Sequence, residues 1–167
     1  MLDNNYVILI GVVLVGVLAY FFFLRDKPKA APIEKPVQAG SVSLQLQAYE
    51  RMILLVDRIA IPNLVGRTSY DALTARDMQL VLTRTIRDEF DYNITQQIYI
   101  TPEAWNAVKS LKEKNLLIIN QVAAQLPPSA SGLDLNRSLL EYLMSDEKAN
   151  LHELVSQALS FEAKKLL

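Results

Sequence analysis

The sequence predicts an all-α protein: an N-terminal transmembrane helix, a Pro-rich tether and a bundle of four to five helices. Three observations carry that prediction. Nineteen consecutive residues, 6–24, hold no charge and no strongly polar side chain. From Ser43 onward apolar residues recur at the period of an amphipathic helix, and no strand-like alternation of useful length interrupts them. Capping residues, prolines and glycines then cut the remainder into helix-sized segments.

The first element reads YVILIGVVLVGVLAYFFFL, residues 6–24. At about 1.5 Å per residue it spans roughly 28 Å, close to the ~30 Å hydrocarbon core of a bilayer. A helix apolar on every side has no solvated face, so lipid is its simplest solvent. Residues 1–5 contain Asp3 and no base, and the run closes on Phe21, Phe22 and Phe23. A cleaved signal would instead begin basic and end in small residues, so the segment is expected to be an anchor. Gly11 and Gly16 are five apart, which is not the four-residue spacing of a tight helix dimer.

Orientation follows from Arg25, Lys27 and Lys29, opposed only by Asp26. Positive flanks stay inside, which predicts a single pass through the inner membrane, residues 1–5 outside and the domain in the cytoplasm. Residues 25–42 form the tether. Pro28, Pro32 and Pro36 exclude a continuous helix there and favour a semi-rigid extended chain.

The predicted domain occupies residues 43–167. Its first helix carries Tyr49, Met52, Ile53, Val56, Ile59 and Ala60 on one stripe and stops at Pro62, with a connection over residues 63–69 through Gly66. Thr74-Ala-Arg-Asp77 is a capping-box variant opening a second helix to about Asn93, with Met78, Val81, Leu82, Ile86 and Tyr92 as its apolar face. Thr101-Pro102-Glu103 supplies a cap, a proline at the first helical position and an acid in the first turn. The third helix runs from there to about Leu126, turning Trp105, Val108, Leu116, Ile119, Ala123 and Leu126 inward. After the break at Pro127-Pro128, a fourth helix covers about 133–144 and a fifth about 150–165, the latter lined by Leu151, Leu154, Val155, Ala158 and Leu159.

Charge and composition exclude several functions. Residues 25–40 carry four bases against two acids, whereas 41–167 carry thirteen bases against fifteen acids. A near-neutral domain without a basic stripe is a poor footprint for nucleic acid. The absence of cysteine excludes disulfides, thiol catalysis and thiolate metal sites. No phosphate-binding loop, nucleophile elbow or dinucleotide fingerprint occurs, and the single histidine, His152, has no second ligand nearby in sequence. No cofactor or metal is therefore expected, and no small-molecule substrate is identified.

The informative anomaly is polar. Thr85, Glu89 and Asn93 stack inside the stripe that should face the core, and Lys112 falls among Trp105, Val108, Leu116 and Ile119. A buried carboxylate costs several kcal/mol unless it is paired. The expectation is that Glu89 and Lys112 meet between helices, completed by Thr85, Asn93 or the Tyr49 hydroxyl. Such a pair more often fixes helix register than performs chemistry.

Two blocks, LQAYERMILLVDRIAIPNLVGR (residues 46–67) and IRDEFDYNITQQIYITPEAWNAVKSLKE (residues 86–113), followed by IIN at 118–120, resemble a family. It is an uncharacterised family of small single-span proteins of Bacteroidota, a domain of unknown function. The resemblance implies an N-terminal anchor and a helical domain, and brings no activity, substrate or catalytic residue. The matching positions are Tyr49, Glu50, Arg51, Arg87, Glu89, Asn93, Gln96, Gln97, Trp105 and Lys112.

The expected function is a membrane-tethered, cytoplasm-facing interaction module, an adaptor or assembly subunit without catalysis. Its partners are the lipid bilayer through residues 6–24 and a second protein or another copy of itself. Leu54 and Leu80, outside their core stripes, are candidates for that surface. The alternatives are a hydrolase or transferase using an open cleft around Glu89, and a self-assembling membrane scaffold.

Overall fold

The computed structural model describes residues 39–69, 72–145 and 151–167. The predicted span at 6–24, residues 1–5 and the tether as far as residue 38 lie outside the described residues. Those described are all-helical, with six α-helices and one short 3-10 turn, and none of these helices is long and apolar enough to cross a membrane.

Helix α1, Ala39–Ile59, starts four residues before the expected Ser43, because nothing after Pro36 prevents helix formation. The chain then turns at Ala60, whose ψ of 126° is extended, and re-enters a helix at once. This α2, Ile61–Arg67, occupies the stretch expected to be a connection. Pro62 stands in its first turn, where a missing N–H costs nothing, so the proline opens the second helix as well as closing the first. Leu64 and Val65 point into the core.

Helix α3, Ala75–Tyr92, begins as its cap predicts: Thr74 Oγ1 accepts from the Asp77 amide at 3.1 Å and donates to Asp77 Oδ2 at 2.6 Å. A 3-10 turn, Ile94–Ile98, leads to α4, Pro102–Gln125, which Thr101 caps by accepting from the Ala104 amide at 3.1 Å. Helix α5, Gly132–Ser145, starts against the beginning of α3. The Ala75 amide donates to the Ala130 carbonyl at 2.9 Å and the Gly132 amide to the Leu73 carbonyl at 2.8 Å. A Cβ at Gly132 would lie 3.3 Å from that same Leu73 oxygen, so glycine permits the close approach. Helix α6, Leu151–Lys164, packs along α1 and α4.

One core holds the helices together, with Met52, Ile59, Met78, Leu82, Ile86, Val108, Ile119, Leu135 and Leu139 sealed from solvent. The stripe predicted for the first helix is the buried one, apart from a half-buried Ile53. On α3 the stripe is rotated. Val81 and Tyr92, assigned inward, are 37% and 74% exposed, while Thr83 and Phe90 are buried. With Met78 as origin, the buried arc runs from 0° to roughly 140°, which places Glu89 and Thr85 at its edge, at roughly 20° and −20°. On α6, Leu154 is 64% exposed, and Leu159 is the buried anchor.

Candidate functional site

Arg51, Leu54 and Arg58 recur along one side of α1 at helical spacing, and Thr85, Glu89 and Tyr92 do so on α3. Between them the two helices leave an open groove of about 510 Å³, whose far wall also includes Asp88. Leu54 and Tyr92 line it while 57% and 74% exposed. The Arg51 guanidinium lies 5.6 Å from the centre of the Tyr92 ring, a cation–π contact that bridges the two walls.

Glu89 is the electrostatic centre. Its Oε1 accepts from Arg58 Nε at 2.8 Å and from Arg58 Nη2 at 2.5 Å, and Arg67 Nη2 lies 3.5 Å away. The Glu89 side chain retains 16% exposure against 47% for Arg58 and 33% for Arg67. The carboxylate beside it pushes the Arg58 guanidinium further up from its already high range, by hydrogen bonding first and charge second. The cluster joins α1, α2 and α3. With the arginines this exposed, each pair contributes on the order of 0.2–1 kcal/mol.

The expected pairing of Glu89 with Lys112 does not form. Lys112 Nζ instead reaches Glu113 at 3.0 Å and sits 4.3 Å above the Phe90 ring, which itself stacks on Trp105 at 4.9 Å. The physical reason is the rotation of α3. Phe90 turns toward α4, and Glu89 toward the arginines of α1 and α2. The remaining members separate as well. Thr85 donates to the Val81 carbonyl at 2.8 Å, and Asn93, buried, donates to the Glu89 carbonyl at 2.9 Å, both within their own helix. Tyr49 belongs to a second cluster. Its hydroxyl donates to Glu162 Oε2 at 2.6 Å and accepts from the Thr101 amide at 3.3 Å, while Thr101 Oγ1 donates to the same Glu162 oxygen at 2.6 Å.

Sequence reasoning passed over Glu162, yet the signal was present: a lone carboxylate among Leu151, Val155, Leu159 and Leu166 at helical spacing. It also passed over Asn115, buried, whose amide donates to the Ile59 carbonyl at 2.8 Å where α1 breaks. Asn136 is 3% exposed, and neither end of its amide has a hydrogen-bond partner among the described residues.

Chemically, the groove offers an exposed apolar strip, Leu54 and Tyr92, with Arg51 on one wall and Asp88 on the other, and the Arg58–Glu89 pair spans between the walls. Two of the groove's polar groups are already engaged, the Thr85 hydroxyl by its own helix and the Glu89 carboxylate by two guanidiniums, and exposed Asp88 lies 3.6 Å from Arg84. Among the described residues no group of three or more His, Asp or Glu side chains could hold a metal ion.

A family model described as a family of unknown function, DUF7935, matches residues 3–166. No curated protein and no solved structure matches the chain. The match takes in nearly the whole sequence, the groove and the Glu162 cluster included, and the chain belongs to this family of unknown function.

Proposed function

We propose that the protein is a membrane-tethered interaction module whose groove between α1 and α3 receives an amphipathic helical segment of another protein. The carrying observation is the pair Leu54 and Tyr92, both more than half exposed and lining one groove between walls of opposite charge. A helix presenting an apolar anchor, with acids on the flank toward Arg51 and bases on the flank toward Asp88, matches that arrangement.

The uncharged run at 6–24 and the bases Arg25, Lys27 and Lys29 support a single-span anchor with the domain on the cytoplasmic side. The tether then keeps the groove near the membrane surface, where membrane-bound partners are concentrated.

A hydrolase or transferase reading needs an open cleft at Glu89, and the groove is open there. A base in that role would have to release both arginines, and the Thr85 hydroxyl beside it is held by its own helix. Docking is therefore the better reading. Copurification from gently solubilised membranes tests it. Wild type should return a second protein in fixed ratio, and Leu54→Asp should lose it while melting at an unchanged temperature. Repeated recovery of this chain alone would overturn the proposal.

A further inference from the structure

A second face stands apart from the groove, on α5. Leu133, Leu140 and Met144 lie within one narrow arc of that helix and are 43%, 39% and 86% exposed. Arg137 and Glu141, four residues apart, border that arc on one flank, roughly 40° and 80° round the helix from Leu133, and line the same cleft. No ion pair joins them within the chain among the described residues. Beside this strip runs a cleft of about 390 Å³, closed on its other side by Val65 and Gly66 of α2. Nothing lies within 4 Å of where a Cβ at Gly66 would be, so that wall is bare backbone with room for an incoming side chain.

The order of residues along this strip decides what fits it: apolar, basic, apolar, acidic, apolar. Laid beside a reversed copy of itself and centred on the turn 137–141, the strip is its own complement. Arg137 of each copy falls opposite Glu141 of the other, Leu140 lies close to the two-fold axis beside its own counterpart, and Leu133 meets the other copy's Met144. We infer that α5 is a self-association face, pairing antiparallel with α5 of a second copy of this chain through two Arg137–Glu141 bridges around a Leu140 contact. Isologous interfaces of this kind place the same patch on both subunits. At the ~8–10 Å separation of packed helices, arginine and glutamate side chains reach across. The bare backbone at Gly66 gives the second copy's Met144 a place to lie. This inference stands on α5 and α2 and is independent of the docking proposed for the groove between α1 and α3.

The test uses the full chain in native membranes. Because the chain has no cysteine, Leu140→Cys introduces its only thiol, and a residue near a two-fold axis meets its own copy. Mild oxidation should give a disulfide-linked dimer several-fold faster than for Leu117→Cys, a control on α4 that is 54% exposed. Added to Leu140→Cys, Arg137→Glu or Glu141→Arg alone should suppress that dimer, and the two together should restore it. Equal crosslinking at residues 140 and 117 would overturn the inference. So would single charge reversals that leave the dimer unchanged, or a double reversal that fails to rescue it.

Discussion

Tyr49 and Glu162 lie 113 residues apart in the chain and meet across a 2.6 Å hydrogen bond that fastens the last helix to the first. Glu162 Oε2 accepts from Thr101 as well, so one carboxylate oxygen ties α6 to α1 and to the cap of α4. That tie adds to the packing of α6, which buries Leu159 and sets Leu151, Val155 and Ala163 partly buried against the core. Tyr49→Phe keeps the ring in the core and deletes the donor. Since hydrogen bonds to charged groups contribute about 1.5–3 kcal/mol, urea unfolding of the purified chain should show a loss near the lower end of that range. Hydrogen exchange should rise first in α6.

The same contact sets an alkaline limit. Burial first, and the neighbouring Glu162 carboxylate second, push the Tyr49 phenol above its ordinary value of 10.0. The unfolded chain therefore gives up that proton before the folded one does, and stability falls as pH rises from about 10 through the folded value. Stability measured between pH 9 and 11 should decline in wild type, and Tyr49→Phe should show a smaller decline.

Asp134 sets an acid counterpart. Hydrogen bonds from the Ser131 amide at 2.9 Å and the Ser131 hydroxyl at 2.7 Å hold its carboxyl below the usual aspartate range. The contribution is present above the unfolded value and is lost as pH falls through the folded one. Asp134→Asn should flatten the stability profile below about pH 4, where unprotected aspartates titrate, as read by thermal melts across that window.

How much of this was legible in the residues depended on whether the deciding interaction was local. The caps at Thr74 and Thr101 are contacts over three residues, so spelling alone locates them, and α3 and α4 begin where those caps predict. The rotation of α3 is not local. Val81 is as apolar as Leu82 and Ile86, and only the positions of α4 and α5 decide which of them is covered. The pattern sets Glu89 near the core and asks for a cationic partner, but Arg58, Arg67 and Lys112 all qualify, and sequence spacing does not rank them. Pro62 carried two meanings, a stop and a start, and the chain uses both.

Asn136 gives a prediction of opposite sign. Its amide is buried without a protein partner among the described residues, and a buried group left unpaired costs about 1–3 kcal/mol. Asn136→Leu, close in shape, should raise the urea midpoint. A lower midpoint would mean that the amide serves a contact that the apolar side chain cannot replace.

Placement at the membrane has its own readout. Protease added to intact spheroplasts should spare the helical domain and digest it only after lysis, and alkaline washing should leave the chain in the membrane pellet. Digestion from outside, or recovery in the wash, would remove the tether from the account.

The most direct measurement places a photo-crosslinking residue at Leu54 in the full chain and irradiates intact membranes, with Leu117 as the control position. A docking groove gives a discrete adduct between position 54 and a different protein, absent from position 117 and lost when Arg51 is changed to Glu. No adduct at position 54, the same adduct from both positions, or an adduct indifferent to the Arg51 change would contradict it.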